Sequence, residues 1–348
     1  MTTSYIDGLN RREFISKSVA AGTAMYLGLG NDLGLAAVEP PPETTTVRFQ
    51  KILAPCWVPQ LMAEPLLREE GFTDIQYIEH EKIFQGEEDI LAGRVDFAAD
   101  FTANSLMLWV PGDPIDFISG FHIGCYSLIG SDKIKTVRDL KGKKVWAWTS
   151  MRSGPAIFFK TLVAYVGLDP DKDIEYVLVP KDEAMELFKR GKIDALMSFP
   201  PGPQQLREQG IGRVLVDTNV DRPWSQYFCC MVNASKKFTR ENPIATKRAL
   251  RAILKSNDIV DRDPEFAARV LLERKIIKEA GYKYIVQDLK ETPYYKWRDY
   301  NPEDTVRFYT LRLHELGITK LSPQEIIDKN CDWRFLKSLK DELNITFI

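Results

Sequence analysis

A seven-residue pattern that occurs twice, 98 residues apart, constrains the fold of this chain more than any other feature. The copies are residues 92–98 (Ala-Gly-Arg-Val-Asp-Phe-Ala) and 190–196 (Arg-Gly-Lys-Ile-Asp-Ala-Leu). Each is typical of a helix end followed by Gly, a basic residue, and a β-branched residue and Asp entering a strand. Unless the match is a chance one, two such units predict two similar α/β lobes. Ligands of open α/β sheets bind beyond the carboxyl ends of the strands, so we expect a crevice between the lobes.

The rest of the chain supports this interpretation, because short β-branched or aromatic runs alternate with helical stretches from residue 45 onward. That alternation is typical of mostly parallel sheets flanked by helices. The predicted strands are Thr46–Leu53, Ile75–Glu79, Val95–Ala99, Asp116–Ser119, Lys144–Thr149, Ile174–Val179 and Asp194–Phe199.

Helix signals fall between these strands. Ser153 is a predicted N-cap for a helix over residues 157–166, and Asn242 is one for a helix that starts with Pro243. A third predicted helix, residues 182–189, ends before Gly191.

Composition excludes several classes of function. The chain of 348 residues is long enough for two domains. Its 47 basic and 49 acidic residues give a net charge of −2, so we expect no nucleic-acid partner. The five cysteines form no CxxC pair, and two are adjacent, Cys229 and Cys230, which disfavours a disulfide between them. We predict buried free thiols and no metal site.

Residues 1–40 resemble a twin-arginine export signal followed by a linker. Arg11 and Arg12 precede an apolar residue and Lys17, and a short Ala/Gly-rich run follows. An amphipathic N-terminal helix that happens to contain Arg-Arg is the alternative. The resemblance implies a periplasmic location and the twin-arginine translocase as a partner during export. The apolar run is shorter than the roughly 20 residues that a spanning helix needs.

A longer set of motifs carries a resemblance to a family. The chain reads Ser-Asp-x-x-x-x-x-x-Asp-Leu-Lys-Gly-Lys-Lys-Val over residues 131–145, followed by a Ser/Gly-rich turn at 149–154. Gly-Leu-Asp-Pro at 167–170, Gly-x-Ile-Asp-Ala at 191–195 and Asn-Pro at 242–243 follow in order. As a set, these resemble the bacterial solute-binding proteins of the sulfonate/nitrate/taurine (SsuA-like) and NMT1/THI5-like group.

The resemblance implies a two-lobe periplasmic-binding-protein fold of type II, with two crossing strands near residues 126–129 and 227–232 as the hinge. Residues 41–126 and 228–348 would form lobe 1, and residues 127–227 would form lobe 2. It also implies ligand-driven closure, an ABC permease in the inner membrane as a partner, no cofactor and no catalysis. The expected solute is a sulfonate, nitrate, a carboxylate or a thiamine-pyrimidine-like compound.

Two other functions remain open on the same fold. One is a pyrimidine synthase like the eukaryotic members of the group, which carry a Cys-Cys-Cys-Phe-Cys run for iron. This chain has only Phe-Cys-Cys-Met at residues 228–231, with two cysteines. The other is an exported ligand sensor.

Candidate ligand contacts are the polar and aromatic residues expected in loops after strands and near the return hinge. In lobe 1 they are Trp57 for stacking, Asp100 and Thr102 as hydrogen-bonding groups, and His122. Capping or core packing is the alternative role for each. In lobe 2 the turn before the predicted helix offers hydroxyls, backbone N–H groups and a guanidinium for an anionic group. The candidates there are Thr149, Ser150, Arg152 and Ser153, together with Phe199 across the cleft and Tyr227 by the hinge.

Overall fold

The computed structural model describes residues 39–52, 54–79, 86–108, 112–278 and 281–344. The twin arginine and the apolar run of the predicted export signal lie outside the described residues. In the part of the chain that is described, no helix is both long and apolar enough to cross a membrane.

The first of two five-stranded sheets has the order β2-β1-β3-β10-β4. Its first three strands pair in parallel, and β10 runs antiparallel between β3 and β4. Four strands therefore point the same way. The strands are β1 (Thr46–Lys51), β2 (Asp74–Glu79), β3 (Phe97–Phe101), β4 (Ile115–His122) and β10 (Cys230–Ser235).

The second sheet repeats this arrangement, with the order β7-β6-β8-β5-β9. Here β6 pairs in parallel with β7 and β8, and β5 runs antiparallel between β8 and β9. In each sheet the antiparallel strand is the one that directly follows a chain connection from the other sheet. The strands are β5 (Ser127–Gly130), β6 (Lys143–Trp146), β7 (Ile174–Tyr176), β8 (Ala195–Ser198) and β9 (Arg213–Asp217).

The repeated sequence pattern occupies equivalent places in the two sheets. Gly93 and Gly191 both have a positive φ, 69° and 65°, which a residue with a side chain rarely adopts. Asp96 then accepts a hydrogen bond from the backbone N–H of Arg48 on β1, at 2.9 Å. Asp194 accepts the matching bond from the N–H of Lys144 on β6, also at 2.9 Å. Each aspartate thus joins the third strand of its unit to the first.

Helices cover the sheets and account for much of the remaining chain. Short 3₁₀ helices within the described ranges span Pro55–Trp57, Val137–Leu140, Trp224–Gln226 and Tyr294–Trp297. The α-helices of the described residues are, in chain order, α1 (Val58–Met62), α2 (Glu64–Glu69), α3 (Gly86–Leu91), α4 (Thr102–Leu108), α5 (Gly154–Tyr165), α6 (Lys181–Lys189), α7 (Gly202–Glu208), α8 (Lys236–Glu241), α9 (Pro243–Arg262), α10 (Pro264–Glu273), α11 (Tyr282–Glu291), α12 (Pro302–Glu315), α13 (Pro323–Asn330) and α14 (Arg334–Asn344).

Two connections join the sheets: residues 123–126, the first crossing, and residues 218–229, the second crossing. Thr218 ties them together. Its hydroxyl accepts hydrogen bonds from the N–H groups of Cys125 and Tyr126, at 3.1 and 3.0 Å, and donates to the carbonyl of Tyr126 at 2.9 Å. Since Thr218 is buried, these bonds hold both crossings in register away from water.

The predicted fold is correct, but several predicted boundaries are not. β3 runs to Phe101, and β4 runs to His122, so Asp100 and His122 lie within strands and not in the loops after them. β9 was not predicted, although its sequence, Arg-Val-Leu-Val-Asp, contains a short apolar run; its first two residues are exposed in the structure. Ser153 occupies the N-cap position of α5, yet its side chain caps no N–H; its hydroxyl donates to the carbonyl of Ser150 instead.

Candidate functional site

A cavity of about 280 Å³ lies between the two sheets. The 3₁₀ helix after β1 contributes Trp57, the first crossing contributes Tyr126, and the segment after β8 contributes Phe199. These elements come from both sheets and from a connection between them. The lining residues are Ala54, Pro55, Cys56, Trp57, Cys125, Tyr126, Lys181, Phe199, Pro200, Pro201, Ile276, Ile277, Lys278, Gly281 and Ile285.

The cavity wall is mostly apolar, and its charged lining residues are Lys181 and Lys278. These two are the charged residues among the described residues of the lining. Burial lowers the pKa of Lys181, because the ammonium group loses part of its hydration. An anion placed next to this group would restore a favourable environment for its positive charge.

Lys181 contacts the first of three aromatic rings that pack on one another. Its Nζ lies 4.7 Å from the ring centroid of Phe199, a cation–π contact. Phe199 packs on Trp148 at 5.2 Å between ring centroids, and Trp148 packs on Trp146 at 5.0 Å. Lys181 was missed as a site residue, because it lies directly before the helix predicted at residues 182–189. Its position in sequence, directly after the Val-Pro segment that follows β7, could have identified it as a residue of a loop after a strand.

Two of the predicted site residues, Trp57 and Phe199, line the cavity. The indole Nε1 of Trp57 donates to the carbonyl of Ala99 on β3 at 2.6 Å, which fixes the ring against the first sheet. Phe199 contributes a ring from the second sheet. The structure therefore brings one predicted aromatic residue from each lobe to the same cavity.

Asp100, Thr102 and His122 are buried and are not among the residues lining the cavity. Asp100 accepts a hydrogen bond from the N–H of Phe101 at 2.7 Å. The hydroxyl of Thr102 donates to the carbonyls of Phe228 and Cys229, at 3.2 and 3.1 Å. These bonds connect β3 and the start of α4 to the second crossing.

The turn at residues 149–154 precedes α5 and is not among the lining residues. Thr149, Ser150 and Arg152 are exposed, and Ser153 is half-buried. Within the turn, the N–H of Arg152 donates to the Ser150 hydroxyl at 3.3 Å. The end of the turn lies against the first sheet, since a Cβ at Gly154 would lie 3.3 Å from the ring of Phe101.

Tyr227 also lies away from the cavity lining. Its ring stacks on that of Phe308 in α12, with centroids 3.9 Å apart and planes inclined by 10°. The predicted proximity of Tyr227 to the second crossing is correct. The side chain packs against α12.

Four of the five cysteines lie together beside the cavity: Cys56, Cys125, Cys229 and Cys230, which we call the thiol cluster. All five cysteines are free; Cys229 and Cys230 are buried, whereas Cys56, Cys125 and Cys331 are half-buried. Burial raises the pKa of the Cys56, Cys229 and Cys230 thiols. Hydrogen bonds from these three thiols lower the pKa of Cys125, because they stabilise its thiolate.

A family model links this chain to known proteins. The model of the NMT1-like family matches residues 128–272, which include the second sheet and the return to the first. The predicted resemblance to the NMT1-like group is confirmed. None of the curated proteins matches the sequence significantly.

Solved structures agree with this result at the level of the fold. The periplasmic nitrate-binding protein NrtA from Synechocystis PCC 6803 has a TM-score of 0.69 at 16% identity, covering 87% of this chain and 90% of its own. The periplasmic aliphatic sulphonate-binding protein SsuA from Escherichia coli has a TM-score of 0.67 at 17% identity, covering 81% and 91%. A Candida albicans protein with the generic periplasmic-binding fold, CA3427, has a TM-score of 0.61 at 10% identity, covering 82% and 96%. The chain has the two-lobe periplasmic-binding fold.

Proposed function

We propose that this chain is the exported solute-binding protein of an ABC importer and that it captures a small organic anion between its lobes. The observation that carries the proposal is the interlobe cavity, in which Lys181 and Lys278 are the charged residues of the described lining. Apolar pockets with a few placed polar groups are the usual form of a small-molecule site. A buried ammonium group in such a pocket favours an anion.

The cavity favours an organic anion over a bare inorganic one. Its wall combines Lys181 with the rings of Trp57, Tyr126 and Phe199. The aliphatic side chains of Ile276, Ile277 and Ile285 complete the apolar part. An organic sulfonate or carboxylate would place its charge by Lys181 and its apolar part against the rings. Nitrate and thiamine-related pyrimidines are the competing solutes. They match this wall less well, because nitrate has no apolar part and the pyrimidines are not necessarily anionic.

Closure of the lobes would enclose the solute. We place the limits of lobe 1 at residues 41–126 and 228–348 and those of lobe 2 at 127–227, since all strands of each sheet fall within these limits. The two crossings would act as the hinge, with the Thr218 hydroxyl holding them together. The closed form would dock on a permease in the inner membrane.

Two groups of the predicted contacts would take part in binding under this proposal. Trp57 and Phe199 would contact the solute from opposite lobes. The turn at residues 149–154 would form a second anion-binding element at the lobe boundary, with Arg152 as its cation. Substituting Arg152 and Lys181 separately tells which cation holds the solute.

A thermal-shift screen of the mature chain tests the proposal. The panel contains alkanesulfonates, aromatic carboxylates, nitrate and thiamine-related pyrimidines. A bound solute stabilises the folded protein by about 2.7 kcal/mol at 100 times its Kd, so a true ligand raises the melting temperature measurably. We expect an organic sulfonate or carboxylate to produce the largest shift.

Titration calorimetry of variants then locates the site. We expect Lys181→Ala to weaken binding of the best ligand by at least about 10-fold, equivalent to about 1.4 kcal/mol. Lys133→Ala, at an exposed residue of the loop after β5, is the matched control and should bind like the wild type. Equal binding by both variants would contradict the assigned cavity. Turnover of a ligand by the purified protein would favour the enzyme alternative instead.

A further inference from the structure

The thiol cluster brings together side chains from three separate segments of the chain. Cys56 lies in the 3₁₀ helix after β1, Cys125 in the first crossing, and Cys229 and Cys230 at the junction of the second crossing with β10. The Sγ atoms of Cys125, Cys229 and Cys230 all lie within 4.8 Å of one another. Cys229 and Cys230 are separated by 4.0 Å between their Sγ atoms, about twice a disulfide bond length. The cluster therefore presents free thiols.

His122 extends the cluster with a nitrogen ligand. A ring nitrogen of His122 and the Sγ atoms of Cys56 and Cys125 lie within 4.8 Å of one another. The Nδ1 atom is 3.0 Å from the carbonyl of Ile123, so an N–H at this position donates to that oxygen. Nε2 is then the unprotonated nitrogen. It is buried and has no hydrogen-bond partner among the described residues.

This arrangement is the one that metal-binding histidines adopt. Their second ring nitrogen usually donates to a backbone carbonyl or carboxylate, which fixes the ring and leaves the other lone pair for the metal. A buried acceptor without a partner is costly in an apolar interior. A metal ion bound at Nε2 removes that cost.

We propose that the thiol cluster and His122 bind a soft d¹⁰ metal ion, Cu(I) or Zn(II). Thiolate and imidazole donors select these ions over hard cations such as Mg²⁺ or Ca²⁺, which prefer oxygen. The ligand atoms form two groups of three, Cys56 with His122 and Cys125, and Cys125 with Cys229 and Cys230. A tetrahedral zinc site with Zn–S bonds of about 2.3 Å needs sulfurs about 3.8 Å apart, so the sulfur pairs within either group need to close by roughly 1 Å at most. Cys125 belongs to both triads and is the central ligand.

The metal site lies beside the interlobe cavity. This position gives the ion a path of entry, and it means that binding would link several segments of the chain. Cys56 and Cys125 line the interlobe cavity, so an ion can reach the thiols from the cleft. Once bound, it would join β1, both crossings and the end of β4. This assignment reverses the expectation from sequence that the chain has no metal site. It does not depend on the identity of the solute.

Metal titration of the reduced mature chain tests the proposal. The protein is purified anaerobically, and Zn(II) or Cu(I) is added in competition with a chromophoric chelator. We expect at least one equivalent of one of these ions to bind. X-ray absorption of the loaded wild-type protein should show sulfur ligands at about 2.2–2.3 Å from the metal.

Cys125→Ser is the decisive variant. Cys331→Ser is its matched control, because Cys331 is also a partly buried free cysteine but lies outside the thiol cluster. We expect Cys125→Ser to weaken binding by more than about 10-fold, since even outer-shell partners of a metal change affinity by about 10- to 100-fold. Cys331→Ser should bind like the wild type. Melting curves of the metal-free variants check that each is folded.

Three results would overturn the proposal: no binding of either ion by the wild type, equal affinity of the wild type and folded Cys125→Ser, or an absorption spectrum with only oxygen and nitrogen ligands. If Cys125→Ser does not fold, the wild-type absorption spectrum alone decides between the two outcomes. A sulfur shell supports the site, and its absence refutes it.

Discussion

Removing the hydroxyl of Thr218 should weaken the connection between the two lobes. Thr218→Val keeps the shape of the side chain but removes the acceptor of the Cys125 and Tyr126 N–H groups. The backbone bond from the Thr218 N–H to the Tyr126 carbonyl, at 3.1 Å, remains possible in this variant. The substitution therefore isolates the contribution of the hydroxyl.

The expected loss in the free energy of unfolding follows from the number of N–H donors that Thr218→Val leaves without an acceptor. Each buried polar group that loses its hydrogen bond costs about 1–3 kcal/mol, and two N–H groups lose their acceptor. Because Cys125 is partly exposed, its N–H can regain some solvation. We expect Thr218→Val to lower the free energy of unfolding by about 2–4 kcal/mol. Thr218→Ser keeps the hydroxyl and should cost only about 1 kcal/mol for the lost methyl group.

Urea unfolding followed by circular dichroism measures both variants against the wild type. The larger loss should occur in Thr218→Val, although valine buries more apolar surface than serine. If Thr218→Val is as stable as Thr218→Ser or more so, the hydroxyl does not hold the crossings together and the reasoning is wrong.

Two further predictions concern stability. Asp96→Ala should lower the free energy of unfolding by about 2–4 kcal/mol and Asp194→Ala by about 1–2 kcal/mol. The difference arises because Asp96 accepts hydrogen bonds from both the backbone and the guanidinium of Arg48, whereas Asp194 accepts one from a backbone N–H. Equal losses in urea unfolding would contradict this difference. Burial raises the pKa of Asp116 to about 6, above its usual value of 3.8, so the folded state binds the proton more tightly than the unfolded state. This group therefore makes stability fall as the pH rises from about 4 to 6. The slope of melting temperature against pH across that range should be more positive in Asp116→Asn than in the exposed control Asp132→Asn, and identical slopes would count against the raised pKa.

The fold could be predicted from sequence because its signals are local. The two Gly-basic-β-branched-Asp patterns each describe one turn and the start of one strand, and the two aspartates do make the same contact in the two sheets. Strand β9 was missed even though residues 214–216 read Val-Leu-Val, so the local signal was present in the sequence and was not used.

The site was less predictable, because its residues come together only through the tertiary structure. Trp57 and Phe199 were identified from their positions after strands, and both line the cavity. Asp100 and His122 were misplaced, because β3 and β4 continue beyond the predicted ends. The thiol cluster joins cysteines that are far apart in sequence, with a spacing that matches no recognised ligand motif. Only the path of the two crossings brings them together.

A crystal structure of the mature chain with its best ligand from the screen tests the central claim most directly. We predict that the solute lies between the sheets, with its anionic group at Lys181 and its apolar part in contact with both Trp57 and Phe199. A solute bound outside this cavity, or one that contacts residues of a single lobe, would contradict the account.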